Sequence, residues 1–515
     1  MKNKVRFDWN KKSWSAVNQY DGASRKGQLS RWFATGDGPN AVMIDSLETL
    51  RNRSRALVRN NAWAAGIIES YTANLIGTGI RPNWNFKSRN IPLSDEQNDT
   101  LKKELQRYWS LFSRHCDYDG HNDIYGLQTL VTREVMESGE CFLIKKPRRL
   151  NKIPVPLQFQ VIESDYVDLN YSETHANGNQ IRMGIEFNSK GQRVAYHVWT
   201  HHPQDNNMTS INKRQRLTAD KVIHIFKPIR AGQVRGVPWL TAIIATLRML
   251  DQYMFAELTR KQAAAMVVFW IKNMVGVGDP NDATFYKTNS EESNSSSPED
   301  FPADFMGLNP GTTVSLGDNE EIEMTQPADV GANYEAWIQQ ELRNVAIGAG
   351  VLSQHVSGDY SDANKASLRA ALIEFRRKCE ALQQQLIVHQ LCRPIVASFL
   401  DTLSTYNLVH LPSYSEYRND YIDIRWHAQR WQSVDPDKDA ATIKTMLRLG
   451  LTSLSEQAAM QGRDAEDLLE EIAKDQTLMQ KLGLVFDSNP GQTATNGLLQ
   501  SGDESIDEAT STAIQ

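Results

Sequence analysis

The 515-residue chain is short of three things: cysteine, long apolar runs and, over one stretch, positive charge. Its four cysteines, Cys116, Cys141, Cys379 and Cys392, are far apart and form no Cys-x-x-Cys pair. That argues against a disulfide frame or a cysteine zinc site and fits free core thiols in a reducing cytosol. The longest apolar run, residues 263 to 271, is about half of the ~20 residues a helix needs to cross a bilayer, so no membrane span is expected. The N-terminal residues Lys2, Lys4, Arg6, Lys11 and Lys12, interrupted by Phe7 and Trp9, lack the apolar stretch and cleavage pattern of a secretory signal.

Catalytic signatures are missing too. Residues 22 to 27 carry the glycine spacing of a phosphate loop, but Gln28 and Leu29 stand where lysine and a hydroxyl residue are required. There is no Gly-x-Ser-x-Gly elbow. Asp435, Asp437 and Asp439 open like a calcium loop, yet Ala440 and Met446 replace its glycine and glutamate. They fit better as acids in the first turn of a helix, with Asp435 as its cap and Pro436 at its first position. His197, His201, His202 and His224 fall in or beside expected strands without a third ligand at fixed spacing. The expectation is no catalytic residue, no cofactor and no metal site.

What is present is localised negative charge. From 279 to 329, twelve carboxylates, among them Asp300, Asp304, Asp318, Glu320, Glu321 and Glu323, stand against one cation, Lys287. This stretch carries −11 while the whole chain carries −6, leaving +5 for the remainder. It lies between expected helices at 238 to 271 and 330 to 350. A domain that sends out one helix, an acidic excursion and a returning helix makes a stalk with a charged tip. Such a tip suits a basic partner and repels phosphate.

Elsewhere, spacing predicts helices over 45 to 70, 94 to 112 and 122 to 137. The first bears Arg51, Arg55 and Arg59 at i, i+4, i+8. Strands are expected at 141 to 145, 157 to 162, 181 to 187, 193 to 200 and 222 to 226, with a hairpin turn at 188 to 191. A second hairpin is expected from strands at 312 to 316 and 321 to 324. Residues 363 to 400 hold no glycine and one proline, Pro394, so a long helix is expected, kinked or ended there. Shorter helices follow Pro436, and the composition of 487 to 515 predicts disorder. The class is α+β in several domains. The cations Lys145, Lys146, Arg148 and Arg149, like the arginine stripe, are candidates for phosphate contact, for subunit ion pairing or simply for a solvated face.

Several stretches together resemble the lambda-like portal proteins of tailed bacteriophages. They include LETLRNRSRALVRNNAWA, IGTGIRPN, WSLFSRHCDYDG, ESGECF, GIEFNSKGQRVAYHVWTHHP, VIHIFKPIRAGQVRGVPWL, LNPGTTVSLGDNEEIE, IGAGVLSQHVSGDYSDAN and WQSVDPDKDA, in family order. One departure is that Lys365, Ala366, Ser367, Leu368 and Arg369 replace the family's Tyr-Ser-Ser-x-Arg.

The resemblance implies the multi-domain portal fold, closed into a ring of twelve at one capsid vertex. It implies an N-terminal arm (1–40), an α/β wing (41–237), stem helices (238–271 and 330–350) and an α/β clip (272–329). A channel loop (351–362), the long kinked wing helix with its return (363–435), a helical crown (436–485) and an acidic tail (486–515) complete it. His355, Asp359, Tyr360, Asp362 and Lys365 would belong to the channel loop.

The implied role is a non-enzymatic conduit for double-stranded DNA, without sequence specificity, in the virion and, during assembly, in host cytoplasm. Implied partners are other copies of the chain, the terminase large subunit at the acidic clip, major capsid protein or scaffold, and head-completion or tail-connector proteins. No membrane partner is implied. Two rival readings remain open: a metal-dependent nucleic-acid enzyme using His197, His201 and His224, and a monomeric capsid scaffold or adaptor.

Overall fold

The structure, a computed structural model, describes residues 5–8, 13–16, 31, 36–86, 91–150, 152–175, 178–205, 212–265, 269–273, 320–324, 334–361, 364–429, 431, 435–461, 463 and 465–483. They form two units: 1 to 244 with 346 to 515, and 245 to 345.

The first unit opens with an antiparallel pair, β1 (Val5–Asp8) and β2 (Ser13–Ala16). The helix expected over 45 to 70 is two helices, α1 (Pro39–Asn60) and α2 (Ala62–Leu75). Asn61 between them is extended, and its side chain accepts from the Ala64 amide at 2.9 Å. An asparagine that satisfies the start of a new helix outweighs the unbroken apolar spacing. After the short β3 (Arg81–Asn83), α3 (Asp95–His115) starts on a reciprocal capping box between Ser94 and Gln97. Asp123 caps α4 (Ile124–Ser138), which ends at Gly139 with φ +93°.

From Gly139 the chain enters β4 (Glu140–Pro147) and β5 (Leu157–Ile162). The strand expected at 181 to 187 is split. Following β6 (Glu173–Thr174), β7 (Gln180–Arg182) and β8 (Ile185–Phe187) are separated by Met183 and Gly184, both at positive φ. Next come β9 (Arg193–Trp199), β10 (Arg214–Thr218) and β11 (Val222–Phe226). Two sheets result, ordered β10-β9-β8-β7-β6 and β11-β4-β5. A shared core lies between them and α1, built from Met43, Leu47, Phe142, Ile162, Met183, Tyr196 and Val234.

The second unit is built on α5 (Ile244–Ala265), β12 (Phe269–Asn273), β13 (Glu320–Met324) and α6 (Tyr334–Ala349), the two helices running a little into the first unit. The helix expected to reach 271 therefore ends at Ala265, and 269 to 273 is a strand. This strand pairs with β13, aligning Lys272 with Glu321 and Trp270 with Glu323. The expected partner at 312 to 316 lies outside the described residues. Tyr253 on α5 meets Trp337 at 4.3 Å and Tyr334 at 6.0 Å on α6, joining the outgoing and returning helices.

Within the first unit, the ends of this excursion are adjacent. A Cβ on Gly348 would lie 2.5 Å from the Ile243 side chain. The Tyr71 hydroxyl donates to the Ala349 carbonyl at 3.0 Å.

The returning chain forms α7 (Ser353–Ser357) and then a helix unbroken from Lys365 to Thr405. It comprises α8 (Lys365–Leu382), a π-helical segment Gln383–Cys392, and α9 (Arg393–Thr405). Pro394 does not end it. In the wider π register Arg393 N–H reaches the Val388 carbonyl, so the helix arrives at the proline already shifted from the α ladder that a missing N–H would interrupt. Its most apolar window is long enough for a bilayer, yet 61% of that window is buried in the protein, which marks a core helix. Phe399 packs there with Trp84, Trp109 and Phe112.

The chain finishes with α10 (Tyr414–Ile422), β14 (Arg425–His427) paired to β3, and the helices α11 (Pro436–Arg448), α12 (Leu454–Met460) and α13 (Ala465–Leu482). Pro436 is at the start of α11 as expected, but Asp435 makes no side-chain cap. Its carboxylate is held by Lys365 at 3.4 Å and Lys438 at 3.3 Å instead. The four cysteines are free and buried.

Candidate channel and docking surfaces

The segment expected to face a channel has two halves. Val351 and Val356 are buried, and the His355 ring packs 4.8 Å from Phe375, where burial lowers its pKa. His355 is therefore an anchor. Beyond Gly358, at φ +69°, Asp359 and Tyr360 are exposed. Ser361 donates to the Asp359 carboxylate through its hydroxyl and its amide, which lowers the carboxyl pKa. Asp362 lies outside the described residues. The ammonium of Lys365, placed in the channel loop by the family resemblance, pairs with Asp435 at the foot of α11. One turn on, Arg369 bonds Asp439. The two cations that open α8 thus tie it to α11.

Of the acidic tip, Asp300, Asp304 and Asp318 lie outside the described residues. Glu320, Glu321 and Glu323 sit on β13, which pairs with β12 in the second unit.

The arginine stripe is largely internal. Arg51, 2% exposed, bonds Glu140 at 2.5 Å and is out of reach of phosphate or a neighbouring subunit. Glu140 is a hub missed in the sequence, though a carboxylate opening an apolar strand was a signal. Its Oε1 also accepts from Arg235 Nε at 2.6 Å, and its Oε2 from Gly236 N at 2.8 Å and His224 Nε2 at 3.0 Å. Since a carboxylate only accepts, Nε2 of His224 carries the proton. Burial alone would raise the Glu140 pKa; Arg235, Arg51 and His224 reverse this and hold it well below the ordinary range. Burial pushes His224 down to about 4. Arg235, wholly buried, also donates to the carbonyls of Ser164, Val167 and Met183.

Arg55 reaches Glu163 at 3.3 Å, Glu134 at 3.5 Å and, more closely, Asp165. Arg59 is exposed near it, in a cleft shared with Arg133, Glu137 and His202. Burial raises Glu134 to about 7.

Geometry also removes the basis for the metal enzyme. His224 on β11 serves Glu140, while His197 on β9 faces Glu186 at 3.3 Å in the other sheet. His201 contributes backbone groups to Asn212. Glu163, Asp165 and His202 do cluster within ligand distance, but the Arg55 guanidinium already fills the position of a cation between the two acids.

The basic cluster divides by strand alternation. Lys145 is half-buried near Asp401 and Asp220, whereas Lys146 and Arg148 lie over the other face, against Tyr118.

Residues 25 to 383 match the sequence model described as phage portal protein, lambda family. The chain belongs to that family. It is a portal chain, with its role at one vertex of a capsid, in a structural family with no catalytic assignment. Among curated relatives, the probable portal protein of Halomonas phage phiHAP-1 is 25% identical over 87% of this chain and 84% of its own length. Portal protein B of Escherichia phage lambda is 21% identical over 94% and 93%. A chain from the neck of a native gene transfer agent particle, computed with C12 symmetry, aligns at 14% identity over 80% of this chain and 93% of that one, with a TM-score of 0.42.

Proposed function

We propose that twelve copies of this chain close into a ring in the virion, first assembled in host cytoplasm, through which double-stranded DNA enters during packaging and leaves at infection. Residues 41–237 and 363–435 are read as the wing, 238–271 and 330–350 as the stem, 272–329 as the clip, 351–362 as the channel loop and 436–485 as the crown. The carrying observation is the confinement of −11 charges to 279–329, on the excursion of a lambda-family portal chain.

DNA carries one charge per ~1.7 Å, and a basic mouth would hold it by counterion release. An acidic mouth lets it slide. A ring of twelve gathers about 130 formal negative charges there, with salt limiting their reach to ~10 Å. Asp300, Asp304, Asp318, Glu320, Glu321 and Glu323 are assigned to docking the terminase large subunit, then head-completion or tail-connector proteins. The outer wing is assigned to capsid or scaffold protein. Asp359, Tyr360 and Asp362 are assigned to the channel, with His355 and Lys365 holding the loop from behind.

Mass measurement and top-view electron microscopy of the purified protein test the ring. A closed particle many times 58.3 kDa is expected. A single subunit under all assembly conditions overturns it.

A further inference from the structure

The β4–β5 hairpin carries a cationic patch distinct from the channel surfaces. Lys146 and Arg148 lie on one face of the strand end, 5.5 and 4.6 Å from the centre of the same Tyr118 ring. Gln158, on the facing strand, accepts from Arg148 Nε at 2.6 Å and donates to the carbonyls of His115 and Asp117 at 2.9 Å. The guanidinium is thus fixed at its Nε edge by Gln158 and on one face by Tyr118. Arg149 and Lys152, both exposed, follow in the turn, where the Lys152 amide donates to the Arg149 carbonyl at 3.1 Å. Exposed Arg114 and His115 end α3 beside it. Among the described residues, Lys146, Arg148, Arg149 and Lys152 form no ion pair, unlike Arg55, Arg369, Arg393 and Arg418. Asp119 is the acid exposed next to Tyr118; Asp117 is buried and spent on the amides of Asp119, His121 and Asn122.

We propose that this hairpin tip, with Arg148 set by Tyr118 and Gln158, binds the phosphodiester backbone of nucleic acid without regard to sequence. Backbone contact asks only for cations at a surface that can meet a rod. An acidic segment docking as an added strand would need a free strand edge as well. The outer edge of β5 is already taken, because Phe159 exchanges backbone hydrogen bonds with Cys116 and Tyr118 at 2.7 and 3.0 Å.

The inference stands apart from the channel reading: a portal whose clip repels DNA can still hold it elsewhere. The test is binding of a mixed-sequence DNA duplex by the full-length protein across a salt series, with polyglutamate as competitor. Lys146→Ala, Arg148→Ala, Arg149→Ala and Lys152→Ala combined should weaken binding at least about tenfold and flatten the salt dependence by about 0.9 per cation touching phosphate. Arg149→Ala with Lys152→Ala, which leaves the tyrosine stack alone, should give an intermediate loss. Lys190→Ala with Lys213→Ala, on other hairpins, should change neither quantity. Equal binding by the fourfold variant and the unaltered protein overturns the proposal, as does an unaltered protein with no affinity at low salt. Polyglutamate displacing duplex charge for charge would assign the patch to an acidic protein instead.

Discussion

Glu140 anchors the first unit because four donors converge on one fully buried carboxylate. Removing it strands two guanidinia. Glu140→Gln should cost about 3 to 5 kcal/mol, the range for breaking a buried pair from one side, whereas Arg51→Met leaves Glu140 with Arg235 and should cost clearly less. Urea unfolding of both variants checks the order. His224 adds a pH signature. Its pKa of about 4 lies below the ordinary 6.5, so between those values the unfolded chain binds a proton that the folded chain refuses. The contribution is complete above pH 6.5 and lost as pH falls toward 4, up to about 3 kcal/mol. His224→Gln should flatten that part of the stability profile; an unchanged slope would remove histidine from the account. The i, i+4, i+8 arginines were legible in the sequence, but their direction was not. Whether such a stripe meets solvent or core depends on a carboxylate 89 positions away, and spacing within one helix carries no record of it.

At the scale of elements, the join between α4 and β4 makes the closest backbone approach to a glycine among the described residues. A Cβ on Gly236 would stand 2.1 Å from the Gly139 carbonyl oxygen, backbone against backbone, with no side chain able to give way. Gly236→Ala should therefore cost about 1 to 3 kcal/mol as overpacking. Gly191→Ala, at φ +76° with open space around it, should cost only the ~1 kcal/mol of a left-handed residue. Thermal melts of the pair separate crowding from backbone preference. Helix and strand identities in the first unit followed from periodicity, since each element buries one face. The misses have local causes. Asn61 divides a helix by capping the next one, Met183 and Gly184 break a strand by turning, and a π segment carries a helix through Pro394. Each depends on partners or backbone angles that composition leaves open. The pairing of β12 with β13 was missed because apolar residues 263 to 271 continue a helical pattern into a strand.

For the whole molecule, charge was the most legible property and geometry the least. The acidic excursion stands out by counting alone, but what its carboxylates face depends on other chains. Glu320→Lys, Glu321→Lys and Glu323→Lys together should slow DNA passage in a packaging assay while leaving the assembled particle's mass unchanged. Lys365→Glu, which sets a carboxylate against Asp435, should loosen the α8–α11 tie and lower packaging efficiency; wild-type efficiency would dismiss that role. The side-by-side placement of Ile243 and Gly348 carries a further consequence. Where a chain departs and rejoins at one point, the intervening length behaves as a plug-in cassette. A short glycine-serine bridge in place of 245 to 345 should leave the remainder cooperatively folded, as circular dichroism would register. Lineages can then refit that cassette while inheriting the chassis untouched.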